Sequence, residues 1–335
     1  MNPFKQDGQM LPIASVNSVF VEDVLASDLF RPALIVNEIE KNRDFLGFSS
    51  DINRNLLLSE FNCALNSKND KIKDKAYEIA ISFGNKLAKV LMTMRNPSLI
   101  SKQNRPSWND SHWAYWEGVK NIYFVGGLTS PILTTIFYNQ IIEEFKHNNI
   151  TDLHVSFIDA SVDLGTKGLT TLTNNGEYLI FDFGQTNIKK RHLVKYYNEI
   201  AIDTVLPSIK SDYLFYKQKN EDELKKLAYK LDSFIINTII DTANIVNYKG
   251  NTILIGIANY VYNGFIYLDR GGYGKLALIK GNYEEHLSNK LSVLFKKEIS
   301  IRLYHDTSAM ALNFKNVKRS AVISLGTAFG IAFPE

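Results

Sequence analysis

Residues 178–190 read YLIFDFGQTNIKK, and the reading of the fold turns on them. Tyr178, Leu179, Ile180 and Phe181 give a buried-strand signal; Asp182, Gly184, Gln185 and Thr186 follow as a tight polar turn, and a second strand leads back out. A carboxylate, a glycine that lets backbone come close, and a hydroxyl therefore meet at one hairpin mouth. Backbone N–H groups there, with the Thr186 hydroxyl, suit phosphoryl oxygens, and Asp182 suits Mg²⁺, held directly or through water. The same residues also make an ordinary hairpin, because Asp and Gly are common turn formers. The stretch alone leaves both readings open.

Outward from the hairpin, 335 residues with 45% hydrophobic content are enough for two domains with separate cores. Basic and acidic residues nearly balance, 38 against 35, so charge gives no steer towards nucleic acid or an anionic membrane. The local run Lys189, Lys190, Arg191, His192 reads as a solvated strand exit. Cys63 is the single cysteine, which excludes an intramolecular disulfide and a Cys-rich zinc site. The opening MNPFKQDGQM lacks the apolar core of a signal peptide, and no apolar run approaches the roughly 18 residues of a spanning helix. A cytoplasmic location is expected.

In order along the chain, residues 13–20 follow Gly8 and Pro12 as a short apolar piece and predict an edge strand. The spacing of Val24, Leu25, Leu29, Ala33, Leu34 and Val36 predicts helices over 21–41, broken near Pro32. Residues 51–65 and 71–94 read as further helices. In the second, Ala76, Ile79, Ala80, Phe83, Leu87, Val90 and Leu91 mark one buried face. Gly84 inside it costs up to about 1 kcal/mol against alanine and points to close packing or a nearby ligand. An irregular insertion then carries Trp108, Trp113 and Trp116, which suit stacking on a sugar or plugging a core or an oligomer interface. Residues 121–125 read as a strand running into Gly126 and Gly127, with a helix over 131–147, an arrangement that lets a nucleotide lie against backbone.

Asp163, Gly165 and Thr166 repeat the Asp, Gly, Thr order of the central stretch without a comparable strand before them, and read as a loop and helix leading into the hairpin. Residues 221–246 form a long amphipathic helix with Leu224, Leu227, Ala228, Leu231, Phe234, Ile235 and Ile239 on its apolar face. A strand over 251–258 ends at Asn259 and Tyr260. A helix over 283–297 and a strand over 299–304 follow, with His305 and Asp306 at the strand's end before a small-residue helix, 307–312. Residues 321–333 read as a last strand with a turn at Gly326 and Thr327 and Gly330 beyond it. Three polar turns thus stand at the ends of apolar strands, where ligands of α/β sheets bind.

These turns carry a resemblance. DFGQT resembles the first phosphate motif of the superfamily that joins sugar kinases, heat-shock chaperones and actin. HDTSAMAL is similar to the NDANAAAL stretch of the ROK family of sugar kinases and regulators, whose Asp is the catalytic base. SLGTAFG resembles that family's second phosphate motif, YFVGGLTSP its adenosine motif, and AYEIAISFGNKLAKVLMTMRNP the helix packed under the nucleotide. The resemblance implies an α/β protein of two ribonuclease H-like, actin-like ATPase domains with mixed sheets around a central cleft. The adenosine-like glycines precede Asp182 here, against the family order, so it also implies a circular permutation cut just beyond Gly330. Residues 1–150 with 319–335 are expected to form the nucleotide and second-phosphate domain, and 151–318 the first-phosphate and catalytic-Asp domain.

The implied activity is phosphoryl transfer from ATP to a sugar hydroxyl. Asp306 is then the catalytic base, Asp182 the Mg²⁺ residue, and Gly184, Gln185, Thr186, Gly326, Thr327, Gly330, Gly126 and Gly127 the nucleotide-binding set. Asn259 and His305 are the candidate sugar contacts. Gln185 stands where the family has a second Gly and His305 where it has Asn; GExGH and CxCGxxGC motifs are absent. The six histidines show no metal-binding spacing. No structural zinc is therefore expected. Expected partners are ATP, a small sugar and a second copy in a homodimer, without nucleic acid or membrane. A non-catalytic sugar or nucleotide sensor and an actin-like assembly protein are the alternatives.

Overall fold

The computed structural model of the chain describes residues 2–159, 161–218, 220–268, 272–279 and 281–334. Its main strands are β1 (Asn121–Val125), β2 (His154–Phe157), β3 (Gly176–Phe183), β4 (Asn187–Tyr196), β5 (Glu199–Lys210), β6 (Thr252–Ile257), β7 (Ser300–His305), β8 (Ser320–Leu325) and β9 (Phe329–Ala332). The helices that cover them are α1 (Pro32–Lys41), α2 (Leu57–Leu65), α3 (Asp70–Arg95), α4 (Pro131–His147), α5 (Leu164–Thr170), α6 (Glu221–Val246), α7 (Tyr283–Phe295) and α8 (Asp306–Ala311). Helix starts follow local chemistry. Pro32 opens α1, where its missing N–H is no loss, and the Asn220 side chain caps α6 by accepting from Glu223 N, with Glu221, Asp222 and Glu223 on the positive end of the helix dipole.

The protein is α/β with mixed sheets, and the chain divides into two compact units. Met1–Phe4, Ile13–Val162 and Asn316–Glu335 form the first; Lys5–Pro12 and Asp163–Lys315 form the second. The first break falls after residue 162 rather than 150, because β2 pairs in parallel with β1 and so belongs to the first unit.

The first unit holds a four-stranded sheet in the order β9-β8-β1-β2, parallel except for β9 against β8. Residues 321–333 are therefore a hairpin, not one strand, and it pairs with β1. Helix α3 crosses α4 closely: a β-carbon at Gly84 would lie 2.9 Å from Gln140 Cγ and 3.3 Å from Phe137 Cα, so that glycine serves packing. Residues 13–20 do not form the expected edge strand. Pro12 and a Ser15 side-chain cap wind them into 3₁₀ turns, Pro12–Ala14 and Val16–Ser18, and Asn17 then bonds both the N–H and the carbonyl of Phe329. The helix expected from residue 51 starts at Leu57, after a 3₁₀ turn over Arg54–Leu56.

The tryptophan insertion is helical, over Leu99–Gln103 and Asp110–Glu117, and its indoles face inward. Trp108, Trp113 and Trp116 are all buried, and the Trp108 N–H donates to the Ile13 carbonyl at 2.6 Å. Phe4 meets Trp108 edge-on at 5.0 Å and stacks on Phe333 at 5.3 Å. These rings form the core of the unit, which settles between the packing and the sugar-stacking roles in favour of packing.

The second unit holds a five-stranded sheet in the order β7-β6-β3-β4-β5. Strands β7, β6 and β3 run parallel, and β3, β4 and β5 antiparallel. On one face Leu179, Phe181, Phe183, Ile253, Ile255 and Ile257 pack against α6 and α7 through Leu231, Ile235, Leu287 and Leu291. On the other face Ile180, Leu193 and Leu254 pack with Leu169 of α5 and Ala309 of α8. Burial on both faces explains why β3 and β6 read as continuous apolar runs. Among the described residues no helix is long and apolar enough to cross a membrane.

Candidate functional site

In the second unit β3, β6 and β7 end side by side, with Asp182 opposite Gly256 and Gly256 opposite Tyr304. Asp182 lies within β3, one residue short of its end, and not in the turn; its side chain is buried. Its Oδ1 has no hydrogen-bond partner. Burial pushes its carboxyl up to about 7; the Asp306 and Asp163 charges push the same way and Lys189 opposes them. Helix α5 covers this carboxylate through Gly165, where a β-carbon would lie 2.6 Å from Asp182 Cγ. Three residues on, Gly168 lets α5 touch the Ala309 carbonyl of α8, so the two short helices close over one sheet face.

The turn itself is Gly184, Gln185 and Thr186. The Gly184 carbonyl accepts from Ser211 Oγ at 2.6 Å and from the Tyr273 hydroxyl at 3.0 Å, which fixes the turn's shape. Gln185 buries an Oε1 without a partner, while Thr186 is exposed.

Across the sheet edge, Asp306 opens α8 as its first residue, one earlier than the sequence predicts. Its Oδ1 accepts from Thr307 N at 2.6 Å and from Thr307 Oγ1 at 3.2 Å, bonds that do not use Oδ2, while the N-cap position belongs to His305, whose side chain makes no cap bond. His305 is buried: Nδ1 lies 3.1 Å from Ser308 Oγ, Nε2 3.4 Å from Asp306 Oδ1, and the ring stacks on Tyr260 at 4.5 Å. Burial lowers its pKa and Asp306 opposes the shift, so the imidazole is neutral near pH 7 and its polar atoms serve α8 and Asp306 rather than a sugar. The Asn259 amide is likewise engaged, donating to the Tyr267 carbonyl at 3.2 Å.

The first unit gathers the other candidates at the ends of β1 and β8. Gly126, at φ +105°, follows β1, and a β-carbon there would lie 3.1 Å from the Leu325 carbonyl oxygen, so the two strand ends touch through that glycine. Thr129 Oγ1 donates back to the Gly126 carbonyl at 2.8 Å and shapes the approach to α4. Gly127 has open space around it, and Thr327 is exposed in the β8–β9 loop with Gly326. Gly330 lies within β9, paired with Ser324, and so stands outside the loop where the phosphate reading puts it.

One group escaped the sequence reading. Asp163 caps α5 and meets Arg191 Nη2 at 3.3 Å and Lys189 Nζ at 3.9 Å; Arg191 also donates to Thr166 Oγ1 at 2.8 Å and Asp203 at 2.6 Å. The basic run at 189–192 is therefore no solvated exit: Lys190, Arg191 and His192 are buried. The available signal was period two, which puts Lys189 and Arg191 on the face of Asp182 and Lys190 and His192 on the other.

Among the described residues no three His, Cys, Asp or Glu side chains form a metal-binding group. The chain matches no protein-family model and no curated protein sequence.

Proposed function

We propose that the chain is an ATP-dependent phosphotransferase acting in the cytoplasm on a hydroxyl of a sugar or sugar derivative, built on two ribonuclease H-like domains of the actin-like ATPase kind. The observation that carries this reading is that Asp182 and Asp306 stand at the carboxyl ends of parallel strands of one sheet, with β6 between their strands, the first with an unpartnered buried oxygen. The strand order adds support. In the second unit three hairpin-linked strands are followed by two parallel to the first, giving the order third-second-first-fourth-fifth. In the first unit the C-terminal hairpin joins a sheet with β1 and β2, in keeping with the permuted motif order.

Asp182 would be the residue to hold Mg²⁺, through its buried Oδ1, which has no hydrogen-bond partner, since that ion keeps several waters and takes few protein ligands. Bound there, it supplies charge neutralisation for transferring phosphates. Within the second unit Thr186 offers an exposed hydroxyl suited to a phosphate oxygen; within the first, Thr327 offers an exposed hydroxyl and Gly127 open backbone. Asp306 accepts the sugar hydroxyl proton on Oδ2 while Thr307 and His305 hold its orientation, a contribution of about 10²- to 10⁴-fold in rate.

A screen of ATP consumption across hexoses, amino sugars and acyl amino sugars tests this. Sugar-dependent ADP release in one class supports it, and none in any class contradicts it. The enclosure of Asp182 beneath Gly165, with Gln185 at a motif glycine, favours as second reading a sensor that binds sugar or nucleotide without turnover. Calorimetric binding of either ligand with no ADP release is the result that selects it.

A further inference from the structure

Lys275 lies in the 3₁₀ turn Gly272–Leu278 of the second unit, is 1% exposed, and has no part in the chemistry proposed above. Its ammonium donates to the carbonyls of Tyr213 at 3.1 Å, Leu214 at 2.7 Å and Gly272, and among the described residues no carboxylate pairs with it. These acceptors use all of its protons but leave its charge uncompensated, a costly arrangement for a buried group. Burial lowers its pKa to about 8, so it is still an ammonium at pH 7.

The two segments it joins are the ones that hold the turn after β3. Ser211, two residues before Tyr213, donates from Oγ to the Gly184 carbonyl at 2.6 Å and from N to the Thr186 carbonyl at 3.0 Å; Tyr273, next to Gly272, donates its hydroxyl to the same Gly184 carbonyl at 3.0 Å. Tyr213 itself stands at φ +59°, a costly conformation for a tyrosine that persists only where its surroundings fix it. With the Gly184 carbonyl engaged by both donors, the planar trans peptide turns the Gln185 N–H the opposite way, away from Ser211 and Tyr273. We infer that Lys275 is a positioning residue for anion binding at this turn: by clamping residues 213–214 to Gly272 it fixes the Gly184 carbonyl and so aims the Gln185 N–H at a phosphate oxygen, while its own charge adds positive potential behind the turn. The inference rests on the phosphate role proposed for Gly184, Gln185 and Thr186.

Calorimetric titration of the full chain with ADP and with inorganic tripolyphosphate tests it. The wild type is expected to bind both, and Lys275→Met to weaken both by the same factor, roughly tenfold. The double variant Ser211→Ala/Tyr273→Phe, which keeps Lys275 but releases the Gly184 carbonyl, is expected to lose as much. Tyr283→Phe, which gives up the bond to Asp232 at 2.9 Å, is expected to keep wild-type affinity and so separates the aim of the turn from general loss of stability. A wild type that binds neither probe overturns the inference, as does a folded Lys275→Met with wild-type affinity or an equal loss in Tyr283→Phe. If Lys275→Met does not fold, wild-type affinity in the double variant overturns it. Weakened binding in these variants without sugar-dependent ADP release by the wild type contradicts the phosphotransferase alone, and such release with unweakened variants contradicts this inference alone.

Discussion

Gly165 packs on the carboxylate of Asp182 so closely that a β-carbon would lie 2.6 Å from its Cγ, shorter than any real contact. Helix α5 is thereby set on the sheet by the absence of a side chain. Gly165→Ala forces either α5 or Asp182 to move, and overpacking of this kind costs about 1–3 kcal/mol. Thermal unfolding of the variant should show the loss, whereas Gly127→Ala, in open space, should melt like the wild type.

Burial holds the Asp182 carboxyl at about 7 in the folded chain, against about 3.9 for an exposed aspartate. The folded state therefore keeps a proton that the unfolded chain releases between these values. The stability this gives is fully present below the lower value and is lost as pH rises through about 7, by up to roughly 4 kcal/mol. Asp182→Asn removes the titration. Its melting temperature should be nearly flat from pH 5 to 8 relative to the falling wild-type curve, and a parallel fall in both proteins contradicts the assignment.

Most strands and long helices were legible because their apolar residues recur at period two or 3.6: β1, α4 and α6 fall where the spacing puts them. The tryptophan segment misled because three large aromatics close together obscure helical spacing, and the 13–20 segment because Pro12 and Ser15 acted where only apolar content was weighed. At the site, residue types gave Asp182 and Asp306, but not what surrounds them. Gly165 matters through the helix that lies across Asp182, and His305 through the burial that neutralises it; both depend on contacts far apart in sequence.

Gly126 stands at φ +105°, a region costly for any other residue, with Leu325 backbone against it. Gly126→Ala should destabilise the protein by about 1–3 kcal/mol. Chemical denaturation reads this directly, and an unchanged midpoint would mean that the β1 and β8 ends do not touch through it.

Trp113 is 1% exposed in the first unit's core. Trp113→Ala should cost about 3–5 kcal/mol, and wild-type tryptophan emission should not shift when a bound sugar is added. A sugar-dependent shift would return the insertion to a ligand-stacking role.

Asp306 is the residue on which phosphoryl transfer depends in the proposed reaction. Asn in its place still offers an oxygen to Thr307 N, so the start of α8 is retained, but the proton acceptor is gone. With a sugar that supports turnover in the wild type, ATP consumption by Asp306→Asn is expected to fall at least about 10²-fold with an unchanged melting temperature. A variant that keeps the wild-type rate contradicts the account.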